Sequence, residues 1–355
     1  MTEMNVLIVG CGGIGGVLAT TLAAQRETLH LNVVGLSRNP VINAAIRERG
    51  LELVDEDDRV NLPFAVHEDL EEAGIPRGSF DYVFLCMQPP NVEQAALWAL
   101  PWLAPDGAMV VFPNGLLEER VAAIAGPERT LGGVIAWGAA MPRPGVYEKT
   151  SEGGFVVGAL VPTGRGRLDR LVPLLELVGP VEVTDNLRGA RWSKLAINCA
   201  ISTLGTIGGD QLGTLMRHRF VRRLALEIMT EVVDVARASD VRLEKVSGTI
   251  DLDWVALTPQ ERRSRGSASL VSKHTLLLAV GARYRRLRSS MLAQIERGRA
   301  PSVDFLNGEV VDRGRTLGIP TPVNEAATRM VHAIARGEQR PGLTMLRELA
   351  AIADA

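Results

Sequence analysis

The stretch Asn5-Val-Leu-Ile-Val-Gly10-Cys-Gly-Gly-Ile-Gly15-Gly-Val-Leu-Ala19 runs from apolar residues through a glycine cluster into helix-forming residues. Val6 to Val9 read as a buried parallel strand, since an unbroken apolar run suits a strand covered on both faces. Ile14 to Ala24 is rich in Ala, Leu and Thr with helical periodicity. Between them Gly10, Gly12 and Gly15 fall in the G-x-G-x-x-G spacing of a dinucleotide site. Gly10 allows the tight turn, Gly12 lets the backbone approach a pyrophosphate, and Gly15 lets the helix pack closely on the strand. The phosphates would then meet the positive helix N-terminus. Gly10, Cys11, Gly12, Gly13, Ile14 and Gly15 are therefore the candidate cofactor loop. The alternative is a glycine-rich turn of an α/β domain that binds nothing.

A chain of 355 residues suggests two domains, since single domains run to roughly 100–200 residues. Its 46% apolar content is ample for burial. A net charge of −2 gives no electrostatic footprint for nucleic acid or an anionic membrane, and leaves a small polar or anionic ligand as the partner. Cys11, Cys86 and Cys199 are isolated within apolar runs, which suggests neither a disulfide framework nor a zinc site. No apolar run reaches the roughly 18 residues of a membrane span, and Met1-Thr-Glu-Met lacks the basic start of a secretory signal. A soluble, cytoplasmic protein is expected.

Following the chain, Leu31 to Arg38 reads as the second strand, whose end inspects the adenosine ribose in a dinucleotide fold. An acidic residue there would favour NAD; Ser37-Arg38-Asn39 instead offers a hydroxyl, a cation and an amide. Arg38 thus points to the extra phosphate of NADP, against a plain solvated loop arginine. Residues 51–66 read as a short β excursion around the acidic turn Asp55-Glu-Asp-Asp. Asp81 to Met87 is another buried strand, and its end, at Gln88-Pro-Pro, faces the cofactor. A helix from Val92 to Leu103 and a strand over Ala108 to Phe112 follow. Asn114 then sits at a strand's carboxyl end, where open α/β sheets bind ligands, and Glu118 and Glu119 open a helix. Residues 132–161 look like an antiparallel extension of the sheet. A helix over Leu168–Leu177 and the strand Val181-Glu-Val-Thr close a first domain of residues 1–185. Residues 186–355 read as all-helical, with segments near 187–204, 217–239, 268–297, 302–317 and 323–336.

The helix Arg191-Trp-Ser-Lys-Leu-Ala-Ile-Asn-Cys-Ala-Ile-Ser-Thr-Leu is apolar over most of its circumference, yet Lys194, Asn198 and Ser202 line one stripe at i, i+4 and i+8. A buried lysine is costly unless used or paired. Desolvation would lower its pKa toward the range in which it serves as a general acid at neutral pH. The competing reading is a lysine that snorkels to solvent.

Taken together, these segments resemble the ketopantoate reductases (2-dehydropantoate 2-reductases) over nearly the whole chain. The resemblance is carried by Gly10-Cys-Gly-Gly-Ile-Gly, Arg38, Asn114-Gly-Leu with Glu118, Trp192-Ser-Lys194-Leu-Ala-Ile-Asn198, Arg288-Ser-Ser290-Met-Leu, Val303-Asp-Phe-Leu-Asn307-Gly308 and Gly318-Ile-Pro-Thr-Pro322-Val-Asn. It implies an NADPH-binding, Rossmann-type α/β domain, a helical domain after it, a small-molecule carbonyl substrate between them, and a homodimer. It also implies that Lys194 and Asn198 are catalytic, that Asn114, Asn198, Ser202 and Ser290 contact substrate, and that Asn114, Gln88 and Ala139 contact the cofactor. Four positions depart from the family pattern. Gln88 stands where a lysine is usual, Ser202 replaces a second asparagine of the catalytic helix, a further asparagine falls near Leu212, and Ser302 replaces a glutamate. Residues 240–270 also form a longer link than usual.

Other chemistries find less support. Arg283, Arg285, Arg286 and Arg288 lack an aromatic ladder and read as a solvated helix face. The five histidines are scattered without metal-ligand spacing. Ser289-Ser290 has no acyl-transfer pattern around it, which leaves Ser290 as a ligand-binding hydroxyl or a helix cap. Two functions remain open: an NADPH-dependent reductase of a 2-oxo acid or of another carbonyl or imine, and a non-catalytic NADP(H)-binding sensor.

Overall fold

Val6, Leu7 and Ile8 have no exposed surface because they form the middle of a sheet covered on both faces. The computed structural model describes residues 3–55, 58–245, 250–263 and 266–353. Its strands are β1 (Met4–Val9), β2 (Leu31–Leu36), β3 (Leu51–Asp55), β4 (Asp58–Leu62), β5 (Val66–His67), β6 (Phe80–Leu85), β7 (Leu103–Val111), β8 (Thr130–Ile135), β9 (Gly138–Arg143), β10 (Val146–Ser151), β11 (Phe155–Ala159) and β12 (Val181–Val183). The chain divides into two compact units, Met1–Pro113 with Leu117–Leu187, and Asn114–Leu116 with Arg188–Ala355.

The first unit is α/β. Among the described residues its main sheet has eight strands in the order β12-β11-β8-β7-β6-β1-β2-β5. From β5 to β8 every neighbouring pair is parallel. The order turns outward in both directions from β1, which pairs with β2 on one side and β6 on the other. Such a switch point opens a crevice at the strands' carboxyl ends, where ligands of doubly wound sheets bind.

The expected antiparallel extension holds for part of residues 132–161 only. β11 pairs antiparallel with β8 in the main sheet, whereas β9 and β10 leave it and join β3 and β4 in a separate sheet of order β4-β3-β10-β9. The β excursion at 51–62 and the Gly- and Pro-broken hairpin thus complete one another, parallel across β3 and β10. That long-range pairing carries no local sequence signature. Glu56 and Asp57, in the acidic turn, lie outside the described residues.

The second unit is helical throughout its described residues, and the helix Leu187–Gly208 and the helix Arg219–Ala238 supply much of its core. The segment expected as one helix over 268–297 is two, Ala268–Arg283 and Ser290–Glu296. Between them Arg285 and Leu287 give their carbonyls to the amides of Gly213 and Leu212, at 3.3 and 2.9 Å. Arg285, Arg286 and Arg288 therefore lie on a solvent-exposed loop rather than a helix face. The long link after Asp240 contains two short helices, Leu252–Val255 and Pro259–Arg263. It is tied down by Arg223, which donates to the carbonyls of Glu261 and Arg262 at 2.9 Å each, and by a buried Lys273–Glu261 pair at 2.6 Å.

Candidate active site

The glycine loop is built by contacts that exclude side chains. Gly10 has a φ of +95°, open to glycine at no steric cost. A Cβ there would also stand 3.0 Å from the amide nitrogen of Met87, so the turns following β1 and β6 run against each other. A Cβ on Gly15 would strike the Gly10 carbonyl oxygen. At Gly12 the corresponding position is open, with nothing within 4 Å. Gly12 precedes the helix Gly13–Ala24, which has neither a side-chain cap nor an acidic residue in its first turn. Uncapped amides beside open space and unopposed by carboxylate are what a pyrophosphate requires. The site therefore fits a dinucleotide.

The loop has a brace from the second sheet. Tyr147 of β10 is fully buried and its hydroxyl donates to the Cys11 carbonyl at 3.0 Å. Its ring occupies the place a Cβ on Gly16 would take. Ala139 of β9 also reaches the loop, its carbonyl oxygen 3.1 Å from where a Gly13 Cβ would stand. Cys11 and Ile14 complete the loop. The Cys11 thiol is pushed up to about 12 by burial, and burial likewise raises Cys86 and Cys199, which leaves no reactive thiolate among the three.

At the end of β2 the three residues divide their tasks. Ser37 is buried and its hydroxyl accepts from the Asn39 amide at 3.3 Å. Asn39 caps the helix Pro40–Arg49 by accepting from Val41 and Ile42 at 3.1 Å each. Arg38 is exposed, with its guanidinium carbon 3.1 Å from the centroid of the Trp98 indole. Gln88 is exposed beyond β6. Asn114 is exposed in the turn after β7, next to Gly115 with its φ of +111°.

In the second unit Lys194, Asn198 and Ser202 are each half-buried along the helix Leu187–Gly208. Burial, together with the Arg191 cation one turn earlier, lowers the Lys194 pKa below the usual lysine range. No salt bridge or hydrogen bond holds its amine among the described residues. The Nδ2 of Asn198, one turn on, is buried without a hydrogen-bond partner. Two groups able to donate to an oxygen thus lie on one stripe, unsatisfied by the protein. Ser202 lends its backbone carbonyl to Ser289, at 2.8 Å. Ser289 caps the helix Ser290–Glu296 by accepting from Leu292, which leaves the Ser290 hydroxyl on the exposed first residue of that helix. No cluster of His, Cys, Asp and Glu suited to a metal ion occurs among the described residues, and no helix there is long and apolar enough to cross a membrane.

Two family models cover most of the chain. Residues 6–162 match Ketopantoate reductase PanE/ApbA and residues 186–335 match its C-terminal domain. The chain belongs to the ketopantoate reductase family. It is 25% identical to a 2-dehydropantoate 2-reductase of Pyrococcus horikoshii, an alignment covering 93% of this chain and 97% of that protein. A 2-dehydropantoate 2-reductase of Mesorhizobium japonicum is 26% identical, with coverages of 94% and 98%. Among solved structures, a PanE/ApbA family ketopantoate reductase from Ralstonia eutropha superposes with a TM-score of 0.76 at 24% identity, over 95% of this chain and all of that one. A D-mandelate dehydrogenase solved with NADH and anilino(oxo)acetate superposes at 0.77 and 17% identity, over 94% and 99%.

As a ketopantoate reductase family member the chain is an oxidoreductase of a dinucleotide-binding type. Two asparagines of the family-like segments are bonded into the helical framework. Asn307 has no exposed surface; it accepts from Thr203 at 2.5 Å and donates to the Cys199 carbonyl at 3.2 Å and to Asn324 Oδ1 at 2.9 Å. Asn324 in turn donates to Glu231, whose carboxylate also accepts the Val323 amide at 2.9 Å. Leu212 belongs to the apolar core, and Ser302 is buried. Tyr147 and Trp98 escaped the sequence reading. Each meets its partner across a long sequence interval, and an aromatic residue in an apolar context reads as core.

Proposed function

We propose that the chain is an NADPH-dependent reductase of a 2-oxo acid of the 2-dehydropantoate type, with Lys194 as general acid. The observation that carries this reading is the lysine itself, half-buried without a carboxylate, lowered in pKa, and one turn from the unpaired amide of Asn198. Gly10 to Gly15 would hold the pyrophosphate at the helix N-terminus, Arg38 the phosphate on the adenosine ribose, and Gln88, Asn114 and Ala139 the remainder of the dinucleotide. When bound, that dinucleotide supplies the hydride received by the carbonyl carbon. Lys194 Nζ gives a proton to the carbonyl oxygen, and its positive charge meets the negative charge growing there. Asn198 Nδ2 donates to the same oxygen and fixes its direction. Asn114, Ser202 and Ser290 position the rest of the substrate. The homologues named 2-dehydropantoate 2-reductase support this substrate class.

A second reading, reduction of a different carbonyl or imine, draws on the loss of polar groups at Gln88, Ser202, Leu212 and Ser302, of which Leu212 is now core. A panel of 2-oxo acids, ketones and imines, scored by NADPH and NADH consumption, tests both. Rapid turnover of 2-dehydropantoate removes the second reading. NADPH binding without oxidation across the panel would instead indicate a sensor. Lys194→Ala should lower kcat about 10²–10⁴-fold, the range of general acid catalysis, with NADPH binding kept. Full turnover by that variant overturns the acid role. We further propose a cytoplasmic homodimer; sedimentation equilibrium would check the dimer, and fractionation of cells the location.

A further inference from the structure

We infer that Trp98 is a specificity-determining positioning residue, whose indole face fixes Arg38 so that the guanidinium edge meets a phosphate on the adenosine 2′-oxygen. The inference rests on the reading of the first unit as a dinucleotide site. Arg38 stands two residues beyond β2, where the ribose is inspected, and no salt bridge or hydrogen bond engages its guanidinium among the described residues. A surface arginine without a partner samples many rotamers and loses that freedom on binding. Here the guanidinium lies against Trp98, 3.1 Å from the ring centroid. Stacking uses only the guanidinium face. Its N–H donors lie in the plane and remain available for a two-pronged contact with phosphate oxygens.

The neighbours narrow the choice to this residue. Ser37 is buried and bonded to the Asn39 amide, and Asn39 commits its side-chain oxygen to a helix cap. Arg38 is left as the group at the end of β2 able to distinguish a phosphorylated ribose from a plain one. Trp98 arrives from the helix Val92–Ala99, which follows β6. The preference is thus set jointly by the strands on either side of β1, and Trp98 touches the arginine without needing to touch the nucleotide.

Titration calorimetry with adenosine 2′,5′-bisphosphate and adenosine 5′-monophosphate tests this on the full chain. Trp98→Ala should weaken bisphosphate binding about tenfold, or about 1.4 kcal/mol, within the range of cation–π contacts. Monophosphate binding should be unchanged, which also shows that the variant is folded. Trp98→Phe, which keeps a flat ring, should retain most of the preference. A Trp98→Ala protein with the wild-type ratio, or with both nucleotides weakened in parallel, overturns the inference. Wild-type protein that binds the two equally overturns the phosphate role of Arg38 and the inference with it. Wild-type protein that binds neither overturns the dinucleotide reading itself.

Discussion

The hydroxyl of Tyr147 donates to the carbonyl of Cys11 at 3.0 Å, so a residue of the smaller sheet holds the glycine loop from behind. Tyr147→Phe keeps the ring and removes the donor. A buried carbonyl left without its partner costs about 1–3 kcal/mol, and a loosened loop should raise the dissociation constant of the dinucleotide. Gly16→Ala is the harsher change, because the added methyl meets the Tyr147 ring in a close-packed interior. Urea unfolding and titration of both variants with NADPH and NADH check this. Wild-type stability and affinity in Tyr147→Phe would show that the loop holds its shape unaided.

The contrast between Gly10 and Tyr147 shows what was legible in the chain. Gly10, Gly12 and Gly15 have their constraints written locally, in a strand, a spacing and a helix start that fall within one short stretch, and the parallel sheet followed from them. The half-buried setting of Lys194 was legible for a similar reason, as an ionic residue on an apolar helix. Tyr147 gains its role from β10 pairing with β3, about ninety residues earlier, and no local period reports that. The arginines after Arg283 read as a helix face because a loop held through its own carbonyls looks, in sequence, like a continuation of the helix.

The pH profile should expose Lys194. Proton donation needs the ammonium form, which is lost as pH rises through the amine's pKa. Burial and Arg191 both lower that pKa in the free protein, so the alkaline fall in kcat/KM should come below the ordinary lysine value of about 10.4. Arg191→Gln removes a repelling cation and should move the fall to higher pH. A kcat/KM that stays flat through the alkaline range, or an unmoved limb in Arg191→Gln, would separate the lysine from the proton transfer.

The buried pair Lys273 and Glu261 anchors the long link in the second unit. Burial alone would raise the Glu261 carboxyl, but donors from Lys273 and the Thr258 amide outweigh it and hold it down to about 2. Glu261→Gln leaves a buried ammonium uncompensated and should cost about 3–5 kcal/mol at neutral pH. The sign in pH follows from a depressed carboxyl: its stabilisation is complete above the usual value of 4.5 and is lost as pH falls toward 2. The stability gap between wild type and Glu261→Gln should therefore narrow below pH 4.5. A gap of constant size from pH 7 to pH 3 in urea titrations would contradict the pairing.

Asn307 lies in one of the segments that resemble the family, yet its bonds all run to the helical framework. Its amide nitrogen donates to the Cys199 carbonyl and to Asn324 Oδ1, while its oxygen accepts from Thr203. Asn307→Asp keeps the shape and reverses half the chemistry, because an ionised carboxylate only accepts. Two acceptors would then face a charge with no donor between them in a fully buried position, at a cost above about 3 kcal/mol. Protonation restores one donor, so the Tm deficit of Asn307→Asp should shrink as pH falls, while Asn307→Ala shows no such recovery. If the residue is framework, kcat and KM measured well below Tm should match wild type in both variants. Altered kinetics with an unchanged Tm would move Asn307 from the framework to the ligand.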